Sequence, residues 1–168
     1  MTDFRDATIA DAALLADLSR RSFTETFGHL YRPEDLQAFV ERLNEAGWAG
    51  ELANPAYEVR LAYSDGEPAG FAKLGPITLP VTPDVPALEL RQLYLLKPFH
   101  GLGIADELMA WLQTRARARG AQELYLSVWS QNERARRFYA RYGFVYVGPY
   151  AFMVGEQADE DEIMKLVL

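Results

Sequence analysis

The chain contains no cysteine, which excludes disulfides, zinc–thiolate sites and cysteine nucleophiles. Histidine is almost as scarce. Only His29 and His100 occur and no HExxH spacing exists, so no metal is expected. No apolar run approaches the roughly 20 residues that a membrane-spanning helix needs. The charged start, Met1-Thr2-Asp3-Phe4-Arg5-Asp6, does not read as a signal peptide. A cytoplasmic address and no membrane partner are therefore expected. Basic residues are outnumbered: 17 Lys and Arg against 24 Asp and Glu leave a net charge of −7. Phosphate neutralisation needs a basic surface, so nucleic acid is not an expected partner. An acidic surface instead favours a cationic small molecule, or simply solubility.

What is present is an ordinary globular composition, 49% apolar over 168 residues, enough for one core and one domain spanning 1–168. Four prolines between Pro76 and Pro86 rule out a helix or central strand there and mark a long loop. The patterning predicts an edge strand at Asp3 to Thr8 and a helix from Ile9 to Arg20 capped by Thr8. A second helix starts at Pro33, with Leu36, Phe39, Val40 and Leu43 on one face. Tyr57 to Tyr63 and Ala69 to Leu74 read as a hairpin turning at Asp65-Gly66, followed by a strand at Ala87 to Leu95. A helix runs from Ile104 to near Gly120, then a strand from Glu123 to Val128, then a short helix lined by Ala135, Phe138, Tyr139 and Tyr142. Strands at Phe144 to Val147 and Ile163 to Val167 close the chain, joined through a turn at Glu156 to Glu162. The order β-α-α-β-β-β-α-β-α-β-β is that of an α/β sandwich on a mixed sheet.

Between the strand and the long helix lies His100-Gly101-Leu102-Gly103-Ile104-Ala105. A glycine-rich turn opening a helix presents free N–H groups and the positive end of the helix dipole, which suits an anion. A P-loop requires Lys-Ser or Lys-Thr, which is missing here. A dinucleotide fingerprint requires a small residue where Asp106 stands. A plain loop before an amphipathic helix satisfies the same letters.

The segment resembles the acetyl-CoA signature of the GNAT superfamily of N-acetyltransferases, Gln/Arg-x-x-Gly-x-Gly/Ala. Gly103 and Ala105 match, while His100 replaces the usual Gln or Arg and keeps an imidazole that can donate to phosphate. A second stretch, Asn132-Glu133-Arg134-Ala135-Arg136-Arg137-Phe138-Tyr139-Ala140-Arg141-Tyr142-Gly143-Phe144, matches the family's Asn-x-x-Ala-x-x-x-Tyr-x-x-x-Gly-Phe. The C-terminal Tyr150 to Lys165 and the early Phe23 to Gly28 resemble the bacterial polyamine acetyltransferase branch.

The resemblance implies a GNAT-like mixed, mostly antiparallel sheet with helices on both faces. It implies transfer of acetyl from acetyl-CoA, a co-substrate, to a small-molecule primary amine such as a polyamine. A protein N-terminus, a lysine or an antibiotic amine are alternative acceptors, and a silent acetyl-CoA-binding regulator is another reading. A homodimer through sheet edges is compatible with it. Residues 100 to 105, from His100 and Gly101 through Leu102 and Gly103 to Ile104 and Ala105, would hold the pyrophosphate. Asn132 would contact the pantetheine arm or cap its helix. Leu93, Tyr94 and Leu95 would pair with the pantetheine and polarise the thioester carbonyl. One or two of Arg134, Arg136, Arg137 and Arg141 would meet the 3′-phosphate. Tyr139 would protonate the leaving thiolate, although spacing alone makes it a packing residue. Glu89 is the candidate general base, or a solvent-facing strand carboxylate. Glu25 and Phe27 would meet an ammonium, or serve as a surface charge and a core ring.

The chemistry sets a demand. An alkylamine with pKa about 10.4 is neutral in roughly one molecule in 2,500 at pH 7, which costs about 4.6 kcal/mol. A base or an acidic pocket must absorb it. A tyrosine of pKa near 10 lies only about 1.5 above a cysteine-like thiol, so its proton transfer costs about 2 kcal/mol.

Overall fold

The computed structural model describes residues 1–168. Seven strands form one sheet in the order β1-β2-β3-β4-β5-β7-β6. They are β1 (Thr2–Asp6), β2 (Glu58–Ser64), β3 (Glu67–Gly75), β4 (Ala87–Leu95), β5 (Glu123–Trp129), β6 (Val145–Val154) and β7 (Gln157–Val167). Every neighbouring pair is antiparallel except β4 with β5. The expected mixed, mostly antiparallel sheet is therefore present. The Asp65-Gly66 turn joins β2 to β3, both residues at positive φ, as a tight hairpin turn demands.

Helices cover both faces. Helix α1 (Ala12–Phe27) and α3 (Glu45–Ala53) lie on one, where Leu15, Leu18 and Trp48 pack with Leu61 and Phe71. Helix α4 (Ile104–Ala118) and α5 (Glu133–Arg141) lie on the other, where Leu108, Leu112 and Tyr139 pack with Leu90, Leu124 and Leu126. Each such fully buried side chain contributes roughly 1.5–3 kcal/mol. Helix α2 (Pro33–Glu41) borders a smaller cluster around Phe23, Tyr31 and Val154.

Three expectations are corrected. The first helix opens with a single 3-10 turn at Ile9–Asp11 and runs on to Phe27, because Leu15, Leu18 and Phe23 keep a buried face beyond Arg20. The stretch after Pro33 holds two helices; the second, α3, is anchored by buried Trp48 and capped by the Asn44 side chain. The acidic stretch from residue 157 to 162 is strand, and the hairpin turns at Gly155-Glu156 instead. Pairing with β5 on one side and β6 on the other overrides the weak strand propensity of Asp and Glu.

One irregularity positions the site. Lys73 pairs with Gln92 but Leu74 pairs with Leu90, so Arg91 is an extra residue on β4. Such a bulge bends its strand. Parallel pairing with β5 stops at Glu89↔Tyr125, and the rest of β4 diverges from β5.

Candidate active site

The divergence opens a cavity of about 880 Å³. Its walls are residues 90–95 of β4 and Ser127, Val128 and Trp129 of β5. It is lined from both faces of the sheet: on the α4 and α5 side by the glycine turn and α5, and on the α1 side by Ser22, Phe27 and Tyr31.

On the first side, Gly103 caps α4 at φ +79 and Gly101 also has φ +79. A Cβ built on either meets nothing within 4 Å, so the space in front of these two peptides is open. Only glycine enters this backbone region freely, and a phosphate can then approach the N–H groups. His100, Gly101, Gly103, Ile104 and Ala105 all line the cavity, whereas Leu102 points outward and is exposed.

His100 takes a different part from the one expected. Its Nε2 lies 3.0 Å from the Leu95 carbonyl, and Nδ1 lies 2.9 Å from Arg134 Nη1. The carbonyl can only accept and the guanidinium can only donate, so these contacts use Nε2 as a donor and Nδ1 as an acceptor. No ring donor remains for a phosphate. The imidazole instead holds Arg134 over the turn. Arg134, Arg137 and Arg141 line the cavity, but Arg136 is drawn away to Glu162 at 3.0 Å. Asn132 both caps α5, accepting from Ala135 N–H at 3.2 Å, and lines the cavity. This end therefore offers glycine peptides, a helix N-terminus and three guanidiniums, a donor set that fits a pyrophosphate and a further phosphate.

Leu93, Tyr94, Leu95 and Tyr139 all line the cavity where it passes through the sheet, and Leu93 and Leu95 pack against the cluster that holds Tyr139. Tyr139 is buried and packed edge-on to Phe138 and Phe144. Burial, with a smaller contribution from the Tyr94 phenol, pushes the Tyr139 phenol up, so it is protonated at neutral pH.

Two expected residues lie elsewhere. Glu89 is buried outside the cavity, where it accepts from the Thr78 and Leu79 N–H groups at 3.0 and 3.2 Å and pairs with Arg91 at 3.3 Å. It anchors the proline-rich loop. Glu25 accepts from the Lys97 N–H at 3.0 Å and lies outside the lining, while Phe27 lines the cavity and meets Trp129 edge-on at 6.0 Å.

At the α1 side the structure adds Tyr31, Phe152, Asp159 and Asp161. Asp159 is buried and accepts from the Tyr31 hydroxyl and from Gln157 Nε2. Burial first, then repulsion from Asp159, pushes the Asp161 carboxyl up to about 7. Alternation along the acidic stretch is the signal that could have found the pair: residues 159 and 161 share one face of a strand. The cavity thus runs from a basic end to an acidic one. No group of three or more His, Cys, Asp or Glu is placed to hold a metal ion, and no helix is long and apolar enough to cross a membrane.

Residues 13–144 match the Acetyltransferase (GNAT) family. An uncharacterised N-acetyltransferase of Lactobacillus delbrueckii subsp. lactis is 33% identical over 155 residues, covering 90% of this chain and 88% of that protein. An aminoalkylphosphonate N-acetyltransferase of Salmonella typhimurium is 33% identical over 110 residues, 66% of this chain and 68% of that one. The crystal structure of the PaiA N-acetyltransferase of Thermoplasma acidophilum, in complex with coenzyme A, superposes with a TM-score of 0.81 at 22% identity, over 100% of this chain and 99% of that one. The chain belongs to the GNAT family and is an acetyl-CoA-dependent N-acetyltransferase.

Proposed function

We propose that the acceptor is a primary amine that is cationic in water, with a polyamine as the substrate class the cavity suits best. The observation that carries this reading is the reversal of charge along the cavity, from Arg134, Arg137 and Arg141 to Asp159 and Asp161. A polyanionic donor and a cationic acceptor would enter from opposite faces and meet at Tyr139. Phe27, Tyr31 and Phe152 add aromatic walls that favour a cation.

Acetyl-CoA supplies the activated acyl group as a thioester. The N–H groups of Gly101 and Gly103 and the guanidinium of Arg134 would bind its pyrophosphate, and Asn132 and residues 93–95 would align its arm. Tyr139 would give its proton to the departing sulfur. Its protonated state and its position at the passage through the sheet support that role.

A phosphonate-bearing amine, suggested by the Salmonella relative, would place a dianion beside Asp159 and Asp161, which like-charge repulsion opposes. The test follows thiol release with spermidine, spermine, lysine peptides, aminoglycosides and aminoalkylphosphonates. Polyamines are expected to give the highest kcat/KM. Tyr139→Phe is expected to slow turnover by about 10²- to 10⁴-fold. Faster turnover of an aminoalkylphosphonate would overturn the acceptor class. Tight CoA binding without release from any amine would make the protein a silent binder.

A further inference from the structure

We propose that Asp161 receives the proton that the acceptor ammonium must lose. The proposal rests on the cationic-amine reading above and assigns the base that reading requires. Glu89 cannot supply it, because its carboxylate is buried outside the cavity and bound to the loop N–H groups.

The geometry is specific. Asp161 lies in β7 directly between Trp129 of β5 and Tyr150 of β6. It is half-buried, lines the cavity, and has no hydrogen bond from any protein group to its carboxylate. Asp159, two residues away, differs in that both its oxygens are held, by Tyr31 and Gln157. Gln92 lines the same cavity from β4, and its Oε1 is shut off from solvent with no partner. Tyr94 connects the two, since it feels both the Gln92 amide and the Asp161 charge. The interior thus presents two unused acceptors, which calls for a ligand rich in N–H donors.

The groups facing Asp161 are Asp159 on its own strand, Tyr31 ahead of α2, Tyr94 on β4 and Tyr150 on β6. Helix α1 contributes Ser22, Thr26 and Phe27 to this end, none of which titrates near neutral pH. Burial and the Asp159 charge both disfavour ionisation, so the Asp161 carboxyl titrates near pH 7. A base poised there can accept a proton and release it again at neutral pH.

The protons balance. Asp161 takes one from the ammonium, and the neutral nitrogen then forms the N–C bond as the carbonyl opens to an oxyanion. Collapse breaks the C–S bond, and Tyr139 protonates the sulfur. The new amide nitrogen loses its second proton, which restores Tyr139. Asp161 returns its own proton to solvent, so one proton is released overall.

The test uses the full chain and the best amine from the panel, with kcat/KM followed from pH 5.5 to 9. The wild type is expected to show an inflection near pH 7 in addition to the ionisation of the free amine. Asp161→Asn should lose that inflection and about 10²- to 10⁴-fold in catalytic efficiency at pH 7 while binding CoA unchanged by calorimetry. Asp161→Glu should retain the inflection, and it carries the test if the Asn variant fails to fold. An active Asp161→Asn variant whose inflection is unmoved, or an Asp161→Glu variant that lacks it, overturns the proposal alone. A wild type inert with every amine overturns the acceptor reading and this proposal with it.

Discussion

Replacing Gly103 with alanine isolates the glycine turn from the rest of the fold. Gly103 has φ +79, and a non-glycine residue in that region costs roughly 1–2 kcal/mol. In a chain of this size about 1 kcal/mol lowers Tm by 2–4 °C, so a fall of about 2–8 °C is expected. No protein atom lies within 4 Å of the added methyl group, so no clash adds to the strain. The methyl group instead would project into the open space proposed for the pyrophosphate. Losing one hydrogen bond to a charged phosphate removes about 1.5–3 kcal/mol, or about 10- to 150-fold in affinity. Gly120→Ala supplies the control: φ is +81, nothing lies within 4 Å, and the residue is outside the cavity. Calorimetric titration with CoA, read beside thermal melts, compares the two. Matching Tm losses with a weakened Kd for Gly103→Ala alone support the assignment. Equal CoA affinity in both variants would refute it.

Glu89→Ala leaves the buried Leu79 N–H without its acceptor, which is expected to cost about 1–3 kcal/mol, or roughly 2–12 °C in Tm, with turnover little changed. A fall in turnover of about a hundredfold or more, at unchanged Tm, would instead make Glu89 the base. Asp11 offers a pH test. Bonds from the Arg5 guanidinium at 2.7 and 2.8 Å, opposed by burial and helped by the Thr8 N–H, hold its carboxyl down at about 2. That contribution is fully present above the ordinary value of 3.8 and is lost as pH falls toward 2. Because Arg5 is half-exposed, about 1 kcal/mol is expected. Urea unfolding of Asp11→Asn should show that deficit at pH 7 and converge with the wild type near pH 2; a constant gap would refute the linkage.

Local signals were the readable ones. The Asp65-Gly66 hairpin, the Asn132 cap and the Gly101–Gly103 turn each depend on a few adjacent residues, and the structure reproduces them. Helix α3 was not readable, because Trp48 alone is fully buried and the remaining small residues carry no clear period. The acidic end of the cavity was hidden for a deeper reason. Asp159, Asp161 and Glu162 look like a turn by composition, yet each has a partner or a role supplied by distant segments: Tyr31, the cavity and Arg136. Where residues contradict the local propensity of their strand, function is the usual reason. Glu89 erred in the opposite direction, since its strand was placed correctly but the loop that consumes its carboxylate is folded back from residues 78–79.

The short parallel junction has a consequence for cooperativity. Only three residue pairs, at 87–89 and 123–125, join β4 to β5, whereas β5 and β7 share seven. The sheet is therefore two hydrogen-bonded halves, β1 to β4 and β5 to β7, held by a narrow seam. The glycine turn at 100–103 follows the first half, and the arginines of α5 belong to the second; both line the cavity. A ligand gripping both acts as a clasp. At 100 times its Kd it adds about 2.7 kcal/mol against unfolding, and slower amide exchange along the seam would register that added hold.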